Sequence, residues 1–172
     1  MKKSFLLSAL LVSLTVFPLM AQRFAYVDTE YILSRIPEYQ TAQEQLNKLS
    51  EGWQTEIEAL INEADQLYKK YEAEKVMLSD AMKAQREDEI MRKEESAKNL
   101  QQQYFGRDGE RLRKQQELIK PIQDKVYQAV KDMSADEGYT IVFDTAGGAN
   151  VLYANPKNDK SDAILKKLGY VN

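Results

Sequence analysis

Between Ala42 and Tyr71 the apolar residues fall at Ala42, Leu46, Leu49, Trp53, Ile57, Leu60, Ala64, Leu67 or Tyr68, and Tyr71, in steps of four and three. That spacing predicts a helix with one narrow apolar seam and charged flanks. A seam this thin cannot hold a lone helix in water, because helices depend on packing of an apolar face, so the segment requires a partner. No proline occurs between Pro37 and Pro121, and Glu, Gln, Lys, Ala and Leu dominate the interval. The partner is therefore read as the same chain folded back. The turn is placed at Val76 to Asp80, where Ser79 can cap a second helix and Asp80 suits its positive end.

The flanks read differently. Phe24 to Asp28 is a short β-rich run, and Asp28 or Thr29 can cap the helical turns that follow from Glu30 to Ile36, ended by Pro37. Pro121 suits the first turn of a further helix to Glu137, whose apolar positions Ile122, Val126, Ala129, Val130 and Met133 form a wider stripe, with Gly138 as its stop. Tyr139 to Asp144 reads as a strand, Thr145 to Ala149 as a glycine-bearing turn, and Asn150 to Ala154 as a second strand completing a hairpin. Asp159 to Asp162 then opens a closing helix with Ala163, Ile164, Leu165 and Leu168, ended by Gly169. The fold class expected is α+β: a small β body with three short strands per subunit, carrying a long antiparallel coiled-coil hairpin. The body comprises 22–37 and 121–172, and the hairpin 38–120 with its tip near 77–80. So small a body buries little core alone, which argues for oligomers.

Composition narrows the function. Residues 1–21 begin with Lys2 and Lys3, continue as an almost uncharged apolar run and end on Ala21, the pattern of a cleaved secretory signal peptide. No later run is apolar enough for stable membrane insertion. The chain is exported on this reading, and the absence of cysteine leaves it without disulfides or a lipidated cysteine. The formal net charge is −3 and becomes more negative once the two leader lysines go, which argues against nucleic acid as a partner. With no histidine and no cysteine, the usual general base and the strongest nucleophile are missing, so we expect neither an enzyme nor a cofactor or metal. Asp28 and Asp144 are read as a helix cap and a strand end. Gly147-Gly148 is a turn, since no Lys-Ser/Thr follows at phosphate-loop spacing.

The mature N-terminus "FAYVDTEYILSRIPEYQTAQEQL" and the C-terminal "YTIVFDTAGGANVLYANPKNDKSDAILKKLGY" resemble the Skp/OmpH family of periplasmic chaperones, across essentially the whole mature chain. The carrying signatures are Tyr26-Val27-Asp28 leading to Ile36-Pro37-Glu38-Tyr39, and Val151-Leu152-Tyr153 followed by Asp159 and Leu168. The resemblance implies a periplasmic homotrimer whose strands form a barrel-like body, contributed by Tyr26, Val27, Ile141, Val142, Phe143, Val151, Leu152 and Tyr153. It also implies helical tentacles around a cavity that holds unfolded outer-membrane β-barrel proteins without ATP. Well-known relatives are strongly basic. Here Lys69 to Lys93 carries seven basic and six acidic residues, so a lipopolysaccharide-binding role is not carried over. An exported coiled-coil scaffold without clients is the alternative.

Promiscuous, weak apolar contact is best made by soft and aromatic side chains. Tyr68, Tyr71, Met77, Leu78, Met82, Met91 and Phe105 are the candidates on the arms, while Trp53, Leu60, Leu67, Leu100 and Tyr104 are expected in the seam. Gly106 and Gly109 are costly inside a helix, about 1 kcal/mol each. Folding about Ser79 puts Gly106 opposite Gly52 and beside Trp53. We expect these three glycines to act as a hinge, or else a glycine simply to make room for Trp53.

Overall fold

The computed structural model describes residues 22–148 and 151–170. The leader expected over 1–21 lies outside the described residues.

Strand β1, Phe24–Val27, leads into helix α1, Thr29–Ser34. Asp28 caps that helix as expected, its Oδ1 accepting from the Tyr31 amide at 2.9 Å. Asp144 caps it again from across the sheet, accepting from the Thr29 amide at 3.1 Å and from Oγ1 of Thr29 at 2.7 Å. The first helical turn thus has two carboxylates at its positive end. Helix α2 runs unbroken over Pro37–Glu74, 38 residues and about 57 Å at 1.5 Å per residue. A 3-10 turn at Lys75–Met77 ends it. Helix α3, Asp80–Phe105, returns antiparallel, capped by Oγ of Ser79, which accepts from the Met82 amide at 3.4 Å.

Beyond the base of the hairpin, where Ala42 and Leu46 are buried, the buried residues of its two long helices fall at Ile57, Ala64 and Tyr71 on α2 and at Ile90 and Ala97 on α3, seven apart on each limb. That is the heptad spacing of a two-helix seam. Polar contacts fix the register. Nζ of Lys93 lies 2.6 Å from Oε2 of Glu63, the Tyr104 hydroxyl donates to Glu56 at 2.7 Å, and the Tyr71 hydroxyl donates to Glu87.

The returning limb does not continue as one helix. It breaks at Gly106 to Gly109, resumes as α4, Glu110–Leu118, and turns at Ile119 into α5, Lys120–Glu137. Gly138 closes α5 with φ of 71°, the left-handed conformation glycine adopts without penalty. Strand β2, Ile141–Asp144, pairs with β1 in parallel, in the register Phe24 to Ile141 through Val27 to Asp144. A parallel pair needs a crossover connection, and the whole helical hairpin is that crossover. On the other side of β1, Tyr26 bridges Asp159, and the Lys160 amide donates to the Tyr26 carbonyl at 2.9 Å. Helix α6, Ser161–Lys167, then packs against α1 and α5.

Where three strands are expected, the described residues contain two, and Val151 to Ala154 join no ladder. Ala149 and Asn150 of the expected hairpin lie outside the described residues. β1 covers one edge of β2, and Val151, Tyr153 and Ala154 line an open cavity with Phe24 and Phe143 instead of extending the sheet.

The body core consists of Val27, Ile32, Ile36, Val126, Ala129, Met133, Ile164 and Leu165. A smaller cluster of Ala42, Leu46 and Ile119 seats the base of the hairpin on the body.

Candidate functional site: two apolar surfaces and a joint

The first surface is the outer side of the sheet. Strand alternation turns Ala25 and Val27 inward and leaves Phe24, Ile141 and Phe143 exposed. The Phe24 and Phe143 rings lie 6.4 Å apart at 40°. With Val151, Tyr153 and Ala154 they line an open cavity floored by Tyr26 and rimmed by Asn155 and Asn158. Partial burial, with Asp159 and Tyr153 close by, pushes the Tyr26 phenol above its usual value. Val151, Leu152 and Tyr153 are all exposed. Tyr26, Phe143, Val151 and Tyr153 are thus gathered at one patch, while Val27 belongs to the core.

The second surface is the outer half of the hairpin. Tyr68, Met77, Met82 and Met91 are exposed, and Leu78 is half-buried at the turn. Val76 and Ile61, which the seam pattern did not single out, are exposed as well, Val76 at 96%. Tyr71 takes the seam position that the pattern from Ala42 gives it: at 4% exposure it is packed between the limbs, and its hydroxyl is committed to Glu87, which pushes its phenol up.

The third feature is the joint. Trp53 on α2 stacks on Tyr104, centroids 5.2 Å apart at 13°, and meets the edge of Phe105 at 6.2 Å and 83°. Phe105 is therefore half-buried on the indole. The hydrogen bond to Glu56 pushes the Tyr104 phenol up. Directly after this aromatic clamp the chain leaves the helix. A Cβ on Gly106 would lie 2.2 Å from the Gln102 carbonyl oxygen, and one on Gly109 would lie 2.7 Å from that of Tyr104. The glycines thus admit their own backbone, not Trp53, and neither sits inside a helix. Gly52 is different: it lies within unbroken α2, with nothing within 4 Å of its missing side chain.

Among the described residues no three or more His, Cys, Asp or Glu are placed to hold a metal, and no helix is long and apolar enough to cross a membrane.

The chain is thus an antiparallel helical hairpin mounted on a small α+β base, with exposed apolar side chains at base and tip. The chain belongs to the OmpH-like family of outer membrane proteins, whose model matches residues 23–168. It is 25% identical over 148 residues to the chaperone protein Skp of Yersinia enterocolitica, covering 86% of this chain and 87% of that one. It is 26% identical over 157 residues to the chaperone protein Skp of Vibrio cholerae serotype O1, covering 86% and 84%. Its fold resembles the crystal structure of an OmpH-like chain from Caulobacter crescentus CB15, with a TM-score of 0.62 at 14% identity, over 86% of this chain and 83% of that one.

Proposed function

We propose that this chain is an ATP-independent periplasmic holdase, which keeps unfolded outer-membrane proteins from aggregating by weak contact along helical arms. Membership of the OmpH-like family and likeness to Skp chaperones support a chaperone role. The observation that carries the finer reading is where large apolar side chains are exposed. On the outer half of the hairpin, an otherwise charged rod, they are Ile61, Tyr68, Val76, Met77, Met82 and Met91. Many weak contacts on tethered arms add up, because each one after the first is intramolecular. None alone traps a client.

The second patch supports a homotrimer. The free edge of β2 and the exposed Phe24, Ile141, Phe143, Val151, Leu152 and Tyr153 suit pairing with further copies. In this reading 22–37 and 121–172 form the shared body, 38–120 forms the arm, and the cavity lies between arms. Gly106 and Gly109, with Gly52 opposite, let the arms adjust to clients of different size.

Native mass spectrometry of the mature protein, with and without a urea-unfolded outer-membrane β-barrel protein, tests both parts. A trimer that captures one client chain and suppresses its light scattering is the expected result. A trimer that captures nothing and leaves aggregation unchanged points instead to an envelope scaffold.

A further inference from the structure

The four methionines among the described residues divide by location. Met133 packs in the body core at 4% exposure. Met77, Met82 and Met91 are 80%, 50% and 58% exposed, all on the outer half of the hairpin. There they make up half of the large apolar side chains presented to solvent, beside Ile61, Tyr68 and Val76. The chain has no cysteine, so no thiol competes with these thioethers for an oxidant. The seam beneath them is built from Tyr71, Ile90 and Ala97, and the cap of α3 uses the Met82 amide, not its side chain. Their sulfur atoms can therefore change without the hairpin unfolding.

We propose that Met77, Met82 and Met91 form a methionine-oxidation site, and that its modification switches off apolar contact by the outer arm. This rests on the holdase reading above. The oxidant is a peroxide. A thioether lone pair attacks one peroxide oxygen, the S–O bond forms as the O–O bond breaks, and proton transfer releases water. Sulfur loses two electrons and the peroxide gains two. The sulfoxide replaces a soft apolar group by a polar one, which removes the property that suits methionine to promiscuous contact. Enzymatic reduction by methionine sulfoxide reductases of both stereospecificities reverses it.

The experiment treats the mature protein with hydrogen peroxide, maps oxidation by peptide mass spectrometry, and assays suppression of aggregation of a urea-unfolded outer-membrane protein before and after. Oxidation at Met77, Met82 and Met91 is expected to be about tenfold or more faster than at Met133, because susceptibility follows exposure. Suppression is expected to fall about fivefold, with far-UV circular dichroism unchanged, and to return after reductase treatment. The triple variant Met77→Leu, Met82→Leu, Met91→Leu lacks the oxidisable thioethers, so whatever suppression it shows before peroxide should be the same after it. Equal oxidation of Met133, undiminished suppression by the oxidised parent, or an equal loss in the triple variant each overturns the proposal while leaving the holdase reading intact. Failure of the untreated parent to suppress aggregation overturns that reading and this proposal with it.

Discussion

The two limbs of the hairpin do the same geometrical job with opposite construction. The outgoing limb is one helix of 38 residues, and its single glycine, Gly52, leaves it unbroken. The returning limb covers a similar distance in pieces, interrupted at Gly106 to Gly109 and again at Ile119. The difference lies in what surrounds each glycine, not in glycine itself. Gly52 lies inside the 38-residue helix and faces open space. Gly106 and Gly109, on either side of the Arg107-Asp108 turn, have extended backbone that brings carbonyl oxygens into the volume a side chain there would occupy. A continuous rail thus runs beside a jointed one.

The largest expected effect comes from removing what ties the rails together at the joint. Trp53→Ala deletes the stack on Tyr104 and the edge contact with Phe105. The ring is only half-buried, so the cost falls at about 2–3 kcal/mol, near the low end for large-to-small substitutions. Hydrogen exchange should rise around 100–110 and stay unchanged in the body. Next come the paired glycine substitutions, which should differ in sign. Gly106→Ala forces a Cβ toward the Gln102 carbonyl and is expected to destabilise the protein by about 1–3 kcal/mol. Gly52→Ala should stabilise it by about 1 kcal/mol, as for any interior helical glycine with room beside it. Denaturant midpoints distinguish them, and equal shifts would remove the contrast between the limbs.

The smallest effect is acidic. In the body, a hydrogen bond from Lys160 holds the Glu137 carboxyl below its usual range, and backbone and Tyr170 hydrogen bonds do the same for Glu38. Both pKa values are depressed in the folded state, so their stabilisation is full above about pH 5 and lost as pH falls through the carboxylate range. The contacts between the limbs at Tyr71 and Tyr104 run the other way. Those phenols are raised by Glu87 and Glu56, so their contribution is present below about pH 10 and lost above it. Hydrogen exchange around Glu137 and Glu38 should therefore rise as pH falls from about 5 to about 3, and unchanged exchange there would contradict this.

Much of this was legible in the residues. The steps of four and three from Ala42 to Tyr71, the proline-free interval and Ser79-Asp80 place the hairpin and its tip, and Gly138 marks the end of α5. Fold-back about Ser79 also brings Trp53 to the height of Gly106. What was not legible is long-range. The parallel pairing of Phe24–Val27 with Ile141–Asp144 depends on partners more than a hundred positions apart, and Asp144 as a second cap on α1 follows only from that pairing. Val151-Leu152-Tyr153 has strand-like composition, yet composition cannot say which edge is open to it. Tyr71 was legible as a seam position from its step beyond Ala64, whereas its aromatic character alone says nothing about which way a helix faces.

The register of Phe24 against Ile141 also orders assembly in time. β1 is made early and has no ladder partner until nearly the whole polypeptide is available, so this contact carries a high sequence separation and closes slowly. The helices between can zip first from nearby contacts at the tip, and in doing so they draw Pro37 and Pro121 together and shorten the loop that remains to be closed. The rod is thus the scaffold on which its own base is completed, and a lesion in the rod is expected to delay the sheet it never touches.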